Sequence, residues 1–356
     1  MNILDSIATG NKLLDSSEFI EAQTVFAEAM KSFPDNAAVK ERYAHVAMRM
    51  GDLVQAYERY QNLRDSHPNN PVGMIGLGNV LLQSHKMEEA QEVFATALET
   101  FPGNAWVKER NAHVAVRLGD LDRARLHYQD MKANHPEVPS GYIGLGNLSL
   151  QADQLEDAQR LFTEALEKFP ENIWAKERCA HVAMRLGNLD QAREHFQDLK
   201  DNHPDHPAGF IGLGNMALRS NDLDAAQAIF AEALEQFPQH ETINERSAHV
   251  ALRLGDLAKA QSQYQALKER FPRNPAGFIG LATVLQQSDK LPEAKKMLAE
   301  AIKLFPANAT LQSQQQRVIE SIAERKPSRG RPSATAATQG KEGTKRQGKR
   351  KRRPKK

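Results

Sequence analysis

AWVKERNAHVAVRLGDLDRARLHYQDMKANHPEV, residues 105–138, runs directly into PSGYIGLGNLSLQADQLEDAQRLFTEALEKFPEN, residues 139–172. Each 34-residue stretch holds two segments of helical length whose apolar residues return every three or four positions. In the first stretch the break between them is Gly119-Asp120. Glycine can take the left-handed conformation that ends a helix, and aspartate can cap the next one. Ala124 is small enough to let the two helices approach closely. Tyr128, four residues on, lies on the same face and fills the space between them. His135-Pro136 then stops the second helix, because proline has no N–H to give and clashes with the preceding turn.

The same beat continues in both directions. Phe-Pro recurs every 68 residues from Phe33-Pro34 to Phe305-Pro306, and His67-Pro68, His135-Pro136, His203-Pro204 and Phe271-Pro272 halve that period to 34. An alanine keeps step from Ala22 to Ala294, followed four residues later by Phe26, Tyr60, Phe94, Tyr128, Phe162, Phe196, Phe230 and Tyr264, with Leu298 closing the series. Gly51-Asp52, Gly187-Asn188 and Gly255-Asp256 repeat the break of residues 119–120. Nine copies run from Ile3 to Asn308 without an insertion: 3–36, 37–70, 71–104, 105–138, 139–172, 173–206, 207–240, 241–274 and 275–308. No single copy can bury its apolar face, so neighbours must stack into a solenoid.

This pattern resembles the tetratricopeptide repeat family, with Leu77-Gly78, Leu145-Gly146 and Leu213-Gly214 adding to the Ala, aromatic and Pro positions. The resemblance covers roughly 3–308 and implies an all-α, right-handed superhelical solenoid of helix-turn-helix repeats. Residues 309–324 keep a helical pattern but turn polar, as expected of a capping helix. The 68-residue double repeat (AHVAxRxGD, then PxGxIGLGN) also looks like the repeat arrays of bacterial glycosyltransferases and sulfotransferases, although no transferase domain is present.

The resemblance implies that the first helix of each repeat lines a groove. In the even copies it would present Glu41, His45, Arg49; Glu109, His113, Arg117; Glu177, His181, Arg185; and Glu245, His249, Arg253. Each trio is spaced i, i+4, i+8 and so shares one helical stripe. The odd copies would add Asn79, Asn147 and Asn215, with Thr283 where the pattern fades. One reading is an intrahelical Glu–His–Arg network that keeps a helix soluble. The other is a ladder gripping an extended peptide or glycan, similar to the asparagine ladder of O-GlcNAc transferases. The carboxylate-clamp pattern of the family is disfavoured, since Ile75, Ile143 and Ile211 stand where it needs lysine. Trp106 and Trp174 serve either as binding anchors or, the stronger expectation, as packing filler between repeats.

Other motifs give no chemistry. GMIGLG at 73–78, repeated at 141–146 and 209–214, reverses the order of the dinucleotide fingerprint and follows no strand; close helix packing accounts for it. Ladder histidines two repeats apart should stand roughly 16–20 Å from one another, too far to share an ion. His67, His135 and His203 precede prolines at helix ends, where imidazole can cap carbonyls. Cys179 replaces Tyr43, Asn111 or Ser247 of other copies and reads as a packing site. No catalytic constellation, metal site or cofactor is expected.

Charge divides the chain in two. Residues 325–356 hold fourteen Lys/Arg and one acid, Glu342, whereas 1–324 holds 33 basic and 44 acidic residues. The tail has no aromatics and is expected to be disordered. Lys349, Arg350, Lys351, Arg352, Arg353, Lys355 and Lys356 could neutralise phosphates of RNA or DNA, meet an anionic surface, or fold back on the acidic body. The N-terminus shows no basic run followed by an apolar run, and no apolar stretch reaches 18 residues, so neither a secretory leader nor a transmembrane helix is expected. One cysteine excludes a disulfide scaffold and suits a cytoplasmic location, and the basic tail would allow a nuclear one in a eukaryote. The expected function is a non-catalytic scaffold or adaptor holding an extended protein or peptide in its groove. A nucleic-acid-associated protein acting through the tail, and an accessory subunit of a glycan-modifying enzyme, are the alternatives.

Overall fold

The computed structural model describes residues 2–324, and the basic tail with Lys349 to Lys356 lies outside the described residues. Those residues form nineteen α-helices and no strand. A first unit, Met1–Val250, contains α1 Ile3–Asp15, α2 Phe19–Ser32, α3 Ala37–Arg49, α4 Leu53–Ser66, α5 Val72–Gln83, α6 Met87–Thr100 and α7 Ala105–Leu118. It continues with α8 Leu121–Asn134, α9 Ser140–Gln151, α10 Leu155–Lys168, α11 Ile173–Leu186, α12 Leu189–Asn202, α13 Ala208–Arg219, α14 Leu223–Gln236 and most of α15, Glu241–Arg253. A second unit, from Ala251 onward, contains α16 Leu257–Arg270, α17 Ala276–Gln287, α18 Leu291–Leu304 and α19 Ala309–Glu324.

Local chemistry sets the boundaries. Asn36, Asn104 and Asn172 cap α3, α7 and α11, each accepting a hydrogen bond from the backbone N–H three residues on at 2.9–3.0 Å. Such caps satisfy helix donors that have no intrahelical partner. Gly119 ends α7 at φ 81°, and Asp120 caps α8 through the Arg123 N–H at 3.1 Å. Asn188, in the equivalent place before α12, makes no side-chain cap bond, contrary to expectation. In the odd copies the same left-handed turn is made without glycine, by Ser17, His85, Asp153, Asn221 and Asp289 at φ 60–61°. Asn, Asp and His tolerate that conformation better than most non-glycine residues; Ser17 pays more for it.

The alanine–aromatic beat forms the interior. Ala90 and Phe94, like Ala158 and Phe162, are wholly buried, and each such phenylalanine contributes about 1.5–3 kcal/mol by leaving water. The GxxGxG glycines belong to this packing. A Cβ on Gly78 would stand 2.3 Å from the Phe94 ring, and one on Gly76 would stand 2.1 Å from the Tyr60 ring.

Lysines tie the two helices together in three of the even copies. Lys176, 7% exposed, pairs with Asp198 at 2.6 Å across α11 and α12, and Lys108 pairs with Asp130 across α7 and α8. Lys40 instead donates to Ser66 Oγ at 2.8 Å. His67 caps a carbonyl as expected, although of the preceding loop: its Nε2 lies 2.9 Å from the Asp35 oxygen. In the second unit, Phe278, Leu285, Leu298, Leu311 and Val318 join one core through α17, α18 and α19.

Candidate functional site

Two cavities of about 490 and 480 Å³ lie in the first unit, and their linings are the same arrangement displaced by 68 residues. The first is walled by Glu41 and His45 of α3, Ile75, Gly76 and Asn79 of α5, and Trp106, Glu109 and Arg110 of α7, over Tyr60. In the second, Glu109 and His113 of α7, Ile143, Gly144 and Asn147 of α9, and Trp174 and Arg178 of α11 take those places, over Tyr128. Glu109 and Ser140 line both, and Ser140 Oγ donates to Glu109 Oε1 at 2.9 Å.

The floor exists because of two residue choices made far apart in the chain. Gly76 and Gly144 carry no Cβ, so the Tyr60 and Tyr128 rings pack directly against α5 and α9. Burial pushes the Tyr128 phenol up to about 12, helped by the nearby Glu109 charge, and moves Tyr60 in the same direction. Both therefore stay neutral hydroxyls. His45 and His113 are held below the usual imidazole range, first by burial and then by neighbouring arginines, Arg42 and Arg49 for one and chiefly Arg110 for the other. Burial likewise lifts the Glu41 carboxyl, against the Arg42 charge.

Trp106 is 65% exposed and Trp174 56% exposed. The packing-filler expectation is thus corrected: the indoles stand out into the cavities, and Trp174 meets His206 in a T-shaped arrangement, at 5.9 Å between ring centroids.

The ladder is placed unevenly. Asn79 and Asn215 are half-buried, Asn147 is exposed, and Asn79 and Asn147 line the two cavities. The Glu–His contact of the proposed intrahelical network occurs at Glu177–His181, at 3.5 Å, where the hydrogen bond lowers the Glu177 pKa. The arginines behave differently. Arg49 sets its guanidinium 5.1 Å from the Phe19 ring, and Arg185 reaches Asp153, so both brace the preceding helix pair. Arg117 and Arg253 are exposed, and His249 is half-buried. Cys179 packs with Ala158, Phe162 and Val182, and burial raises its thiol to about 11, well above the range of a reactive thiolate.

Sequence reasoning passed over Tyr60, Tyr128, Arg110, Arg178 and Ser140. A signal was present: among the second-helix aromatics, tyrosine appears only in even copies.

A tetratricopeptide repeat profile matches residues 13–74, 81–142, 149–210 and 217–278, and a second matches 44–105 and 180–241. The chain belongs to the tetratricopeptide repeat (TPR) family. The first profile's four matches start 68 residues apart, the same double period that places the two cavities in equivalent positions. Among curated proteins, the chain is 26% identical over 151 residues to cellulose synthase operon protein C of Xanthomonas axonopodis pv. citri (strain 306), spanning 40% of this chain and 10% of that protein. It is 23% identical over 185 residues to Hsp70-Hsp90 organizing protein 2 of Arabidopsis thaliana, spanning 50% of this chain and 32% of that one. The chain thus matches a tenth to a third of the length of these relatives. The solved Cut9–Hcn1 hetero-tetramer of APC/C shares the fold at a TM-score of 0.54 and 16% identity, over 90% of this chain and 57% of that one. No helix among the described residues is long and apolar enough to cross a membrane.

Proposed function

We propose that this TPR protein is a non-catalytic scaffold whose nine repeats, closed by α19, hold an extended protein segment along α3, α5, α7, α9 and α11. The observation that carries the reading is the pair of exposed tryptophans, each rimmed by Glu, His, Asn and Arg side chains. An exposed indole over an apolar floor inside a polar rim is the composition of an interface hot spot. Neutral His45 and His113 and the amides of Asn79 and Asn147 can each donate to and accept from a peptide backbone without a charge to desolvate. The ladder residues His181, His249 and Asn215 extend the same polar track.

The test is a pull-down of the tagged full chain from its native lysate, with nuclease and at moderately high salt. A discrete protein captured by the wild type and lost with the paired change Trp106→Ala and Trp174→Ala supports the reading. Unchanged capture by the folded double variant contradicts it.

A second reading rests on the fourteen Lys/Arg of residues 325–356. These would bind RNA or DNA by counterion release while the repeats recruit a protein. Truncation after Glu324 would then abolish nucleic-acid binding together with its salt dependence, and retention of both would exclude the tail. An accessory role beside a glycan-modifying enzyme calls for a copurifying transferase in the same pull-down.

A further inference from the structure

The two cavities invite a more specific statement about what they hold, one that rests on the scaffold reading above. Their floors are apolar: Tyr60 with Met48, Val72 and Ile75 in one, and Tyr128 with Pro139 and Ile143 in the other. Their volumes of about 490 and 480 Å³ fall in the range of roughly 300–1,000 Å³ that accepts a side chain or small ligand. A large apolar side chain buries its surface on such a floor, and it brings its own backbone to the rim where Asn79 and Asn147 stand.

Spacing adds a second constraint. Trp106 lies on α7 and Trp174 on α11, with α9 between them. A spacing of about 8–10 Å between successive first helices would set the two indoles roughly 16–20 Å apart. An extended chain advances about 3.3–3.6 Å per residue. Five or six residues cover the gap. Charge adds a third constraint: residues 1–324 carry 44 acidic against 33 basic side chains, and Glu41 and Glu109 outnumber Arg110 around the Trp106 cavity.

We propose that the first unit captures an extended, positively charged polypeptide through two large apolar side chains five or six residues apart, one beside Trp106 and the other beside Trp174. Each anchor drops onto a tyrosine–glycine floor against one indole. The chain between them lies over Glu109 and Ser140, which both cavities share. Basic residues in that span meet the acidic surface and speed encounter. At the next copy along the chain, Phe196 stands in the tyrosine position and Thr242 in the tryptophan position, so this anchor arrangement occurs twice and then ends.

These are the chain's two tryptophans, one per cavity, which makes its own fluorescence the readout. Peptides of Lys, Ser and Gly carrying two Phe or two Leu at spacing five or six are titrated into the full-length protein. Controls of matched composition carry one anchor, or two at spacing two, which spans only about 7 Å. The two-anchor peptides should bind at least about tenfold more tightly than either control, because the second anchor binds intramolecularly. Trp106→Phe and Trp174→Phe should each leave the other indole responding. Trp106→Ala or Trp174→Ala should reduce the two-anchor peptide to single-anchor affinity. Equal affinity at spacing two, a response from one indole alone, or no peptide response overturns the two-anchor proposal. If the partner recovered from lysate still cross-links to α7 and α9 in that event, the scaffold reading survives. If soluble oligosaccharides move both indoles and no polypeptide does, both fall.

Discussion

Helices α7 and α11 begin with a tryptophan one residue past the helix start, and α15 has Thr242 in that place, although the three share the Glu–His–Arg stripe and the alanine interior. Beneath them, Tyr60 and Tyr128 give way to Phe196, whose ring is met edge-on by His181 at 5.4 Å between centroids. The interior positions are repeated copy after copy because stacking leaves them no freedom. The rim position changes from Trp to Thr because the stack does not depend on it, whereas the floor position keeps a buried aromatic in each of these copies. Position by position, then, the array separates residues that build it from residues free to serve a partner.

That separation is broken most severely from the building side. Phe162→Ala empties a wholly buried site and should cost about 3–5 kcal/mol, whereas exposed Trp174→Ala should stay within about 0.5 kcal/mol of wild type. Urea unfolding of both variants checks the contrast, and equal losses would erase it. A gain of function comes next. Thr242→Trp with Phe196→Tyr should install a third anchor point, so that a three-anchor peptide binds about tenfold more tightly than a two-anchor one, with fluorescence of the added indole as the readout.

Asp130→Asn probes the Lys108 pair. Its hydrogen bond with Lys108 is the main cause holding the Asp130 carboxyl below its usual 3.8, and Lys176 does the same for Asp198. A depressed folded pKa gives stability that is present above the unfolded value and is lost as pH falls through the folded one. His45 and His113 act in the same sense, their stability being complete above about pH 6.5 and falling as pH drops. Asp130→Asn should therefore cost about 1 kcal/mol at pH 7 and flatten only the step below pH 4. A step of unchanged height would show that the pair does nothing. The smallest effect lies in the odd turns, where His85→Gly should gain about 0.5–1 kcal/mol by relieving φ 61°. Gly119→Ala, at φ 81° in an even turn, should lose about as much.

The repeat length, helix order and alanine–aromatic interior were legible because each depends on residues within one 34-residue period. The left-handed turns of the odd copies were not, because none of the five residues that make them is glycine, the strongest signal for that backbone. Arg49 and Arg185 share the groove stripe in sequence, yet their guanidinium groups turn to Phe19 and Asp153 of the preceding copy, a choice made between neighbours that periodicity does not encode. The cavities were half legible. His45, Asn79, His113 and Asn147 were found from the stripe, whereas each cavity is completed by residues of the next even copy, such as Trp106 with Arg110. Recognising that needs the stacking distance as well as the pattern.

The central claim, that a partner covers both indoles, is tested most directly by acrylamide quenching of Trp106 and Trp174 with and without the protein recovered from lysate. Using the single-tryptophan variants Trp106→Phe and Trp174→Phe reads each cavity separately. The structure predicts that both indoles, open to solvent in the free chain, become several-fold less quenchable in the complex. Full quenching of both in a complex shown to be intact would place the partner elsewhere and contradict the account.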